Sequence, residues 1–252
     1  ISNSEIAKAA GADLILLNGV DVFNPDLFAV ETETTDFVTS LHNLVGCPIG
    51  VNLEPVDYDA EMLEGRLEIA KGRQASLETI LEIERIGMDF VCLTGNPGTG
   101  VTNEAILNTI RLAKDNFSGL VIAGKMHAAG TTGPILDLET LAAFIEAGAD
   151  IILAPAVGTV PGFDDEDMKQ IVKYAHEHNT LVMSAIGTSQ EGATPEVVAS
   201  IALRNKICGV DIQHIGDAGY SGVAPVENIF ALGSAIRGVR HTVAVAARSI
   251  RR

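Results

Sequence analysis

The 252 residues carry 33 acidic against 17 basic side chains, a formal net charge of −16, and that excess repels phosphate backbones and anionic lipid surfaces, so neither nucleic acid nor membrane is expected as a partner. With 47% hydrophobic and 20% charged residues the composition is that of a globular protein, and no apolar run approaches the roughly 18 residues of a membrane span. Cys47, Cys92 and Cys208 lack metal-ligand spacing and read as reduced thiols of a cytoplasmic protein. A chain of this length can bury one sizeable core, so a single domain over 1–252 is expected. It opens at Ile1 without a methionine, a basic segment or an apolar signal core; no targeting peptide is expected, and the N-terminus reads as incomplete.

In chain order, a first helix is predicted over Ser2–Ala10, capped by Ser2 or Asn3. Four junctions then share one pattern, in which a helix ends in Gly, one residue intervenes, and Asp opens an apolar run: Gly11-Ala12-Asp13, Gly87-Met88-Asp89, Gly148-Ala149-Asp150 and Gly209-Val210-Asp211. Glycine accepts the left-handed conformation that closes a helix, and the runs that follow are too short and too apolar for surface helices. Three further runs open near Pro48, Gly119 and Thr180, which puts strand starts at about 13, 48, 89, 119, 150, 180 and 211. A period of about thirty residues is one strand, one loop and one return helix. The intervening helices are predicted over Thr34–Val45, Ser76–Ile86, Thr102–Asn116, Glu139–Ala147, Asp164–Asn179, Thr194–Arg204 and Pro225–Val239. Since the Gly-x-Asp junction opens every second strand, these are strands two to eight of a (β/α)8 TIM barrel whose first strand lies outside the sequence. The charged stretch Pro55–Ala75 interrupts the rhythm and is expected to form an extra helical turn or a lid. Five arginines between Arg237 and Arg252 read as charge complementarity at a helix C-terminus.

Barrel chemistry sits at the C-terminal strand ends. There the apolar run Leu120–Gly124 leads into Lys125 and His127, two ionisable side chains that share a face of an extended chain. Alternation places Asn18, Thr94 and His214 in one inward set, with Cys92 below Thr94. Asn52, Glu54, Lys125, His127, Ser184 and Thr188 form another, provided that Leu53 and Ile122 face the helices. A desolvated Lys125 can form a Schiff base with a carbonyl or stabilise an enolate or carboxylate by charge. His127 and His214 are candidate proton-transfer groups. Glu54 is a candidate base and, with Asp21, a candidate magnesium ligand; no other cofactor is expected. Backbone N–H groups of the glycine-rich loops are the candidate anion site: Gly95, Gly98 and Gly100 after the strand at 89, Gly187 with Thr188 after the strand at 180, and Gly216 with Gly219 after the strand at 211.

The repeated junctions and the glycine-rich loops of the last two strands resemble the phosphate-binding (β/α)8 enzymes. The run Gly11-Ala-Asp-Leu-Ile-Leu-Leu-Asn18 is similar to the second strand of the phosphoenolpyruvate mutase and isocitrate lyase group. That resemblance implies a magnesium-bound 2-oxo acid or enolpyruvate and acidic residues on the strands, to which only Asp21 and Glu54 correspond. The expected function is therefore that of a homo-oligomeric lyase or isomerase acting on a small anionic carbonyl metabolite. The rival readings are a non-catalytic metabolite-sensing barrel and a metal-dependent hydrolase.

Overall fold

The computed structural model of the protein describes residues 1–30, 37–62, 65–127, 136–217 and 222–248. Among these residues seven strands, β1 (Ile15–Leu17), β2 (Ile49–Leu53), β3 (Phe90–Leu93), β4 (Leu120–Gly124), β5 (Ile151–Pro155), β6 (Leu181–Ile186) and β7 (Ile212–Ile215), form one sheet in sequential order. Every pairing is parallel. Each strand begins one or two residues after its expected start. Helices α1 (Asn3–Ala9), α2 (Phe37–Val45), α3 (Leu77–Arg85), α4 (Asn103–Asn116), α5 (Leu138–Glu146), α6 (Asp165–Glu177), α7 (Pro195–Cys208), α8 (Val226–Arg237) and α9 (Val239–Ala246) follow. The capping side chains are largely those expected: Ser2, Ser76, Thr102 and Asp164 each accept from a first-turn N–H. Among the described residues these helices and strands together make an incomplete (β/α)8 barrel of TIM type.

The junction aspartates do more than open strands. Asp89 Oδ2 accepts the Ile49 N–H at 2.7 Å, Asp150 Oδ2 that of Val121 at 2.8 Å, and Asp211 Oδ2 that of Val182 at 2.9 Å. Each thus holds the start of the strand before it. Each aspartate also contacts a side chain of a neighbouring helix, His42, Lys114 and His176 respectively. Asp13, the first of the series, has no preceding strand in the described structure and pairs instead with Arg237, which also donates to the Gly11 carbonyl. Arg237 is the basic residue of the last turn of α8, as expected, and through Asp13 and Gly11 it is also a tie between the two ends of the barrel. Past it Gly238, at φ +83°, turns the chain into the unexpected α9.

Alternation divides the strands between two cores. Ile49, Val51, Leu53, Val91, Leu93, Val121, Ala123, Ile152, Ala154 and Val182 pack against the helices. Phe90, Cys92, Ile122, Ile151, Leu153, Met183 and Ala185 fill the inner side. Cys92 there has its thiol pushed up to about 12 by burial, so it is an inert packing group. The barrel is open along one side: β1 and β7 each pair with a single neighbour among the described residues. Residues of both free edges line one cleft of about 2100 Å³ that runs up to the mouth. No helix among the described residues is long and apolar enough to cross a membrane.

Candidate functional site

The ends of β1 and β2 and the loop after β3 carry a polar relay. Asn52 follows Val51 on the inner side of β2 and donates through Nδ2 to Asn18 Oδ1 at 3.0 Å. Asn18 and Asn96 exchange side-chain hydrogen bonds of 3.0 Å in both directions. Asn96 then binds Glu54 twice, its Nδ2 donating to Oε1 at 2.9 Å and its backbone N–H to Oε2 at 2.8 Å. Arg73 completes the set with a 2.7 Å bond to Glu54 Oε1. The backbone explains why Arg73 is there: the end of the Pro55–Ala75 stretch returns to pair with Glu54, whose N–H donates to the Arg73 carbonyl and whose carbonyl accepts from Ala75. That stretch also contains the extra helical turn anticipated for it, a 3-10 turn over Lys71–Arg73.

These contacts hold Glu54 firmly in place. A carboxylate only 1% exposed, accepting from a guanidinium and two N–H groups, has most of its roughly four lone-pair sites engaged and acts as an anchor. Asp21 likewise spends Oδ1 on the N–H groups of Phe23 and Asn24. Among the described residues no three His, Cys, Asp or Glu side chains converge as a metal site. No step is routed through a metal.

The glycine-rich loops divide. Gly95 borders the cleft, as do Gly187, Thr188 and Gly216. Gly98 and Gly100 do not: their carbonyls accept from Leu67 and Asp57 of the Pro55–Ala75 stretch, and the Cα of Gly100 faces Arg66 and Met62. The expected anion cradle at Gly95–Gly100 is further closed by acids from outside the loop, since Glu54 takes the Asn96 N–H and Asp57 takes the Thr102 hydroxyl at the start of α4. After β6 and β7, Glu191 and Asp217 both border the cleft, and burial and then Asp217 raise the pKa of Glu191. Gly219 lies outside the described residues, as does most of the stretch after His127.

Register also corrects the second inward set. Asn52 lies opposite Cys92 and Cys92 opposite Ile122, so Ile122 faces the interior and not the helices. The offset between β2 and β4 is even where alignment on strand openings made it odd, and one residue reverses every side chain. Ser184 is consequently on the outer face, level with Ala154 and Gln213, and away from the cleft. Lys125 is the first residue beyond the β4 ladder; it is 2% exposed and stands behind the cleft wall, while its neighbours Met126 and His127 border the cleft.

The titratable groups nevertheless form one neighbourhood. Burial lowers the pKa of Lys125, and no hydrogen bond or ion pair reaches its amine among the described residues. His127 is lowered by burial and then by the Lys125 charge, with Glu54 opposing. Across the mouth, burial takes His214 down to about 4, and its Nδ1 has no partner among the described residues. Both histidines are thus neutral imidazoles at neutral pH.

A pH test follows. Between pH 4 and the ordinary histidine value of about 6.5 the unfolded chain takes up a proton at His214 that the folded chain refuses, so stability falls as pH drops through that window. The wild type is expected to lose up to about 3 kcal/mol from this group by the bottom of the window, and His214→Gln to lack that component. Urea midpoints measured from pH 4 to 7.5 will diverge between the two proteins; parallel curves will contradict the burial of a neutral imidazole.

Fold and site together define an incomplete parallel α/β barrel with neutral bases and a polar relay at its C-terminal mouth. The chain belongs to the family described as domain of unknown function DUF7916, whose sequence profile matches residues 1–252. Comparison with curated proteins gave no match. Among solved structures the fold is similar to an archaeal fructose 1,6-bisphosphate aldolase, at 17% identity and TM-score 0.57 over 92% of this chain and 81% of the other. It is also similar to a chain of the Amycolatopsis orientalis BexX/CysO complex, at 14% identity and TM-score 0.55 over 95% and 83%. A 2,3-dimethylmalate lyase of the phosphoenolpyruvate mutase/isocitrate lyase superfamily aligns at 18% identity and TM-score 0.52 over 94% and 76%. At these identities the likeness is one of fold.

Proposed function

We propose that this barrel is a lyase-type enzyme acting on a small carbonyl metabolite, with Lys125 as the nucleophile and His127 as the proton-transfer group. The observation that carries the reading is a solvent-shielded lysine amine, without carboxylate or hydrogen-bond partner among the described residues, beside a histidine held neutral. Desolvation favours the uncharged amine, which is the reactive form. Its attack on a carbonyl carbon forms the C–N bond; the oxygen collects two protons and leaves as water, giving an imine. Once protonated, that imine accepts the electron pair of an adjacent breaking C–C bond. His127, which borders the cleft, takes or returns the proton. The electrostatic alternative for Lys125 draws less support, because nothing among its described neighbours holds it charged.

Lys125→Arg keeps the positive charge and removes the nucleophile. In a cleavage screen over 2-oxo acids and sugar phosphates, the wild type is expected to turn over at least one compound and Lys125→Arg to lose at least about a hundredfold in kcat. Turnover retained in Lys125→Arg will contradict the imine. A second reading, a barrel that binds a metabolite without chemistry, is favoured by the place of Lys125 behind the cleft wall. It predicts binding without turnover in both proteins.

A further inference from the structure

The relay at the mouth has a direction, and the direction constrains the ligand. A carboxylate can only accept hydrogen bonds. Glu54, anchored by Arg73, therefore requires the Asn96 amide to present Nδ2 to it. With that orientation set, Asn18 must turn Oδ1 toward Asn96 Nδ2 and Nδ2 toward Asn96 Oδ1. Asn18 Oδ1 then admits only a donor from Asn52, which offers Nδ2 and keeps Oδ1 for the other side. Reversing any one amide would set oxygen against oxygen or nitrogen against nitrogen. The relay thus ends in an acceptor, Asn52 Oδ1, which is buried and has no partner among the described residues. Asn52 borders the cleft. So does Thr94, two residues beyond the register partner of Asn52 on β3; its Oγ1 is also buried and unpartnered among the described residues.

We infer that the ligand of this cleft is a hydroxylated or amino-bearing small molecule, whose O–H or N–H is received by Asn52 Oδ1 with Thr94 Oγ1 beside it. The inference rests on the reading of the cleft as a ligand site, and it narrows the substrate class from carbonyl metabolites in general to those that also carry a hydrogen-bond donor. Asn52 and Thr94 act as specificity residues, while Glu54, Arg73, Asn96 and Asn18 position the acceptor.

Three probes of equal chain length separate the donor from the rest of the ligand: glycerate, lactate and propanoate, with two, one and no hydroxyl groups. They are titrated into the full chain labelled with 15N-asparagine, and the Asn52 side-chain resonance is assigned by its loss in Asn52→Asp. Glycerate and lactate are expected to shift that resonance and to bind about tenfold or more tighter than propanoate. Thr94→Val, which preserves shape, is expected to reduce the preference, and Asn52→Leu to abolish it. Propanoate binding as tightly as glycerate will overturn the inference, as will a hydroxyl preference unchanged in both variants. Absence of binding by all three probes at millimolar concentration will also overturn it. The enzyme reading is decided separately, by imine trapping at Lys125, so a trapped imine with no hydroxyl preference leaves that reading standing while this one fails.

Discussion

Arg73→Met is expected to lower the free energy of unfolding by about 3–5 kcal/mol, the usual cost of removing one partner from a buried ion pair. Arg73 is a quarter exposed but its partner Glu54 is 1% exposed, so the variant leaves a carboxylate inside the mouth with only the Asn96 donors. Methionine fills much of the same volume, which keeps lost packing from dominating the result. The double variant Arg73→Met/Glu54→Gln removes the stranded charge and is expected to recover a large part of the loss. Chemical denaturation of the four proteins of this cycle measures it. A loss below about 1 kcal/mol in Arg73→Met will show that the pair is not the anchor of the relay.

Gly124→Ala is expected to cost at least about 3 kcal/mol or to prevent folding. Gly124 closes β4 at φ +151°, and a β-carbon built on it stands 2.0 Å from the Leu153 carbonyl oxygen of β5. That contact is with backbone in the ladder itself, so no side-chain rotation relieves it. The strand pair must open, and the first residue to move with it is Lys125. Wild-type stability in Gly124→Ala, read from urea midpoints, will contradict the close approach of β4 and β5.

Much of the fold was legible because it repeats. The Gly-x-Asp junctions and the thirty-residue period located all seven strands, and the end caps located most of the helices. What the junctions do was not legible. Asp89, Asp150 and Asp211 bind N–H groups of strands about thirty to forty residues earlier, a contact that sequence spacing does not encode. The site was readable only where strand parity could be counted from a ladder. On β2 the alternation put Asn52 and Glu54 inside, correctly. On β4 and β6 the same counting turned Ile122 and Ser184 the wrong way, because a one-residue difference in entry reverses the face and leaves no compositional trace. Arg73 and Asn96 were missed for a different reason: one arrives through a backbone pairing at the end of a long charged stretch, the other sits in a glycine-rich loop that looked like an anion cradle. An amide inside such a loop, next to a strand-end acid on the neighbouring strand, was the available signal.

The central claim is that Lys125 offers an uncharged amine to a carbonyl substrate. Sodium borohydride added to the protein with pyruvate, longer 2-oxo acids and sugar phosphates, followed by peptide mass spectrometry, tests it most directly. The imine account predicts a reduced, irreversible adduct on Lys125 with at least one of these compounds, with mass equal to the substrate joined through loss of water plus two hydrogens, and none in Lys125→Arg. An unmodified Lys125 across the whole panel, or equal labelling of exposed lysines such as Lys71 and Lys173, will contradict it.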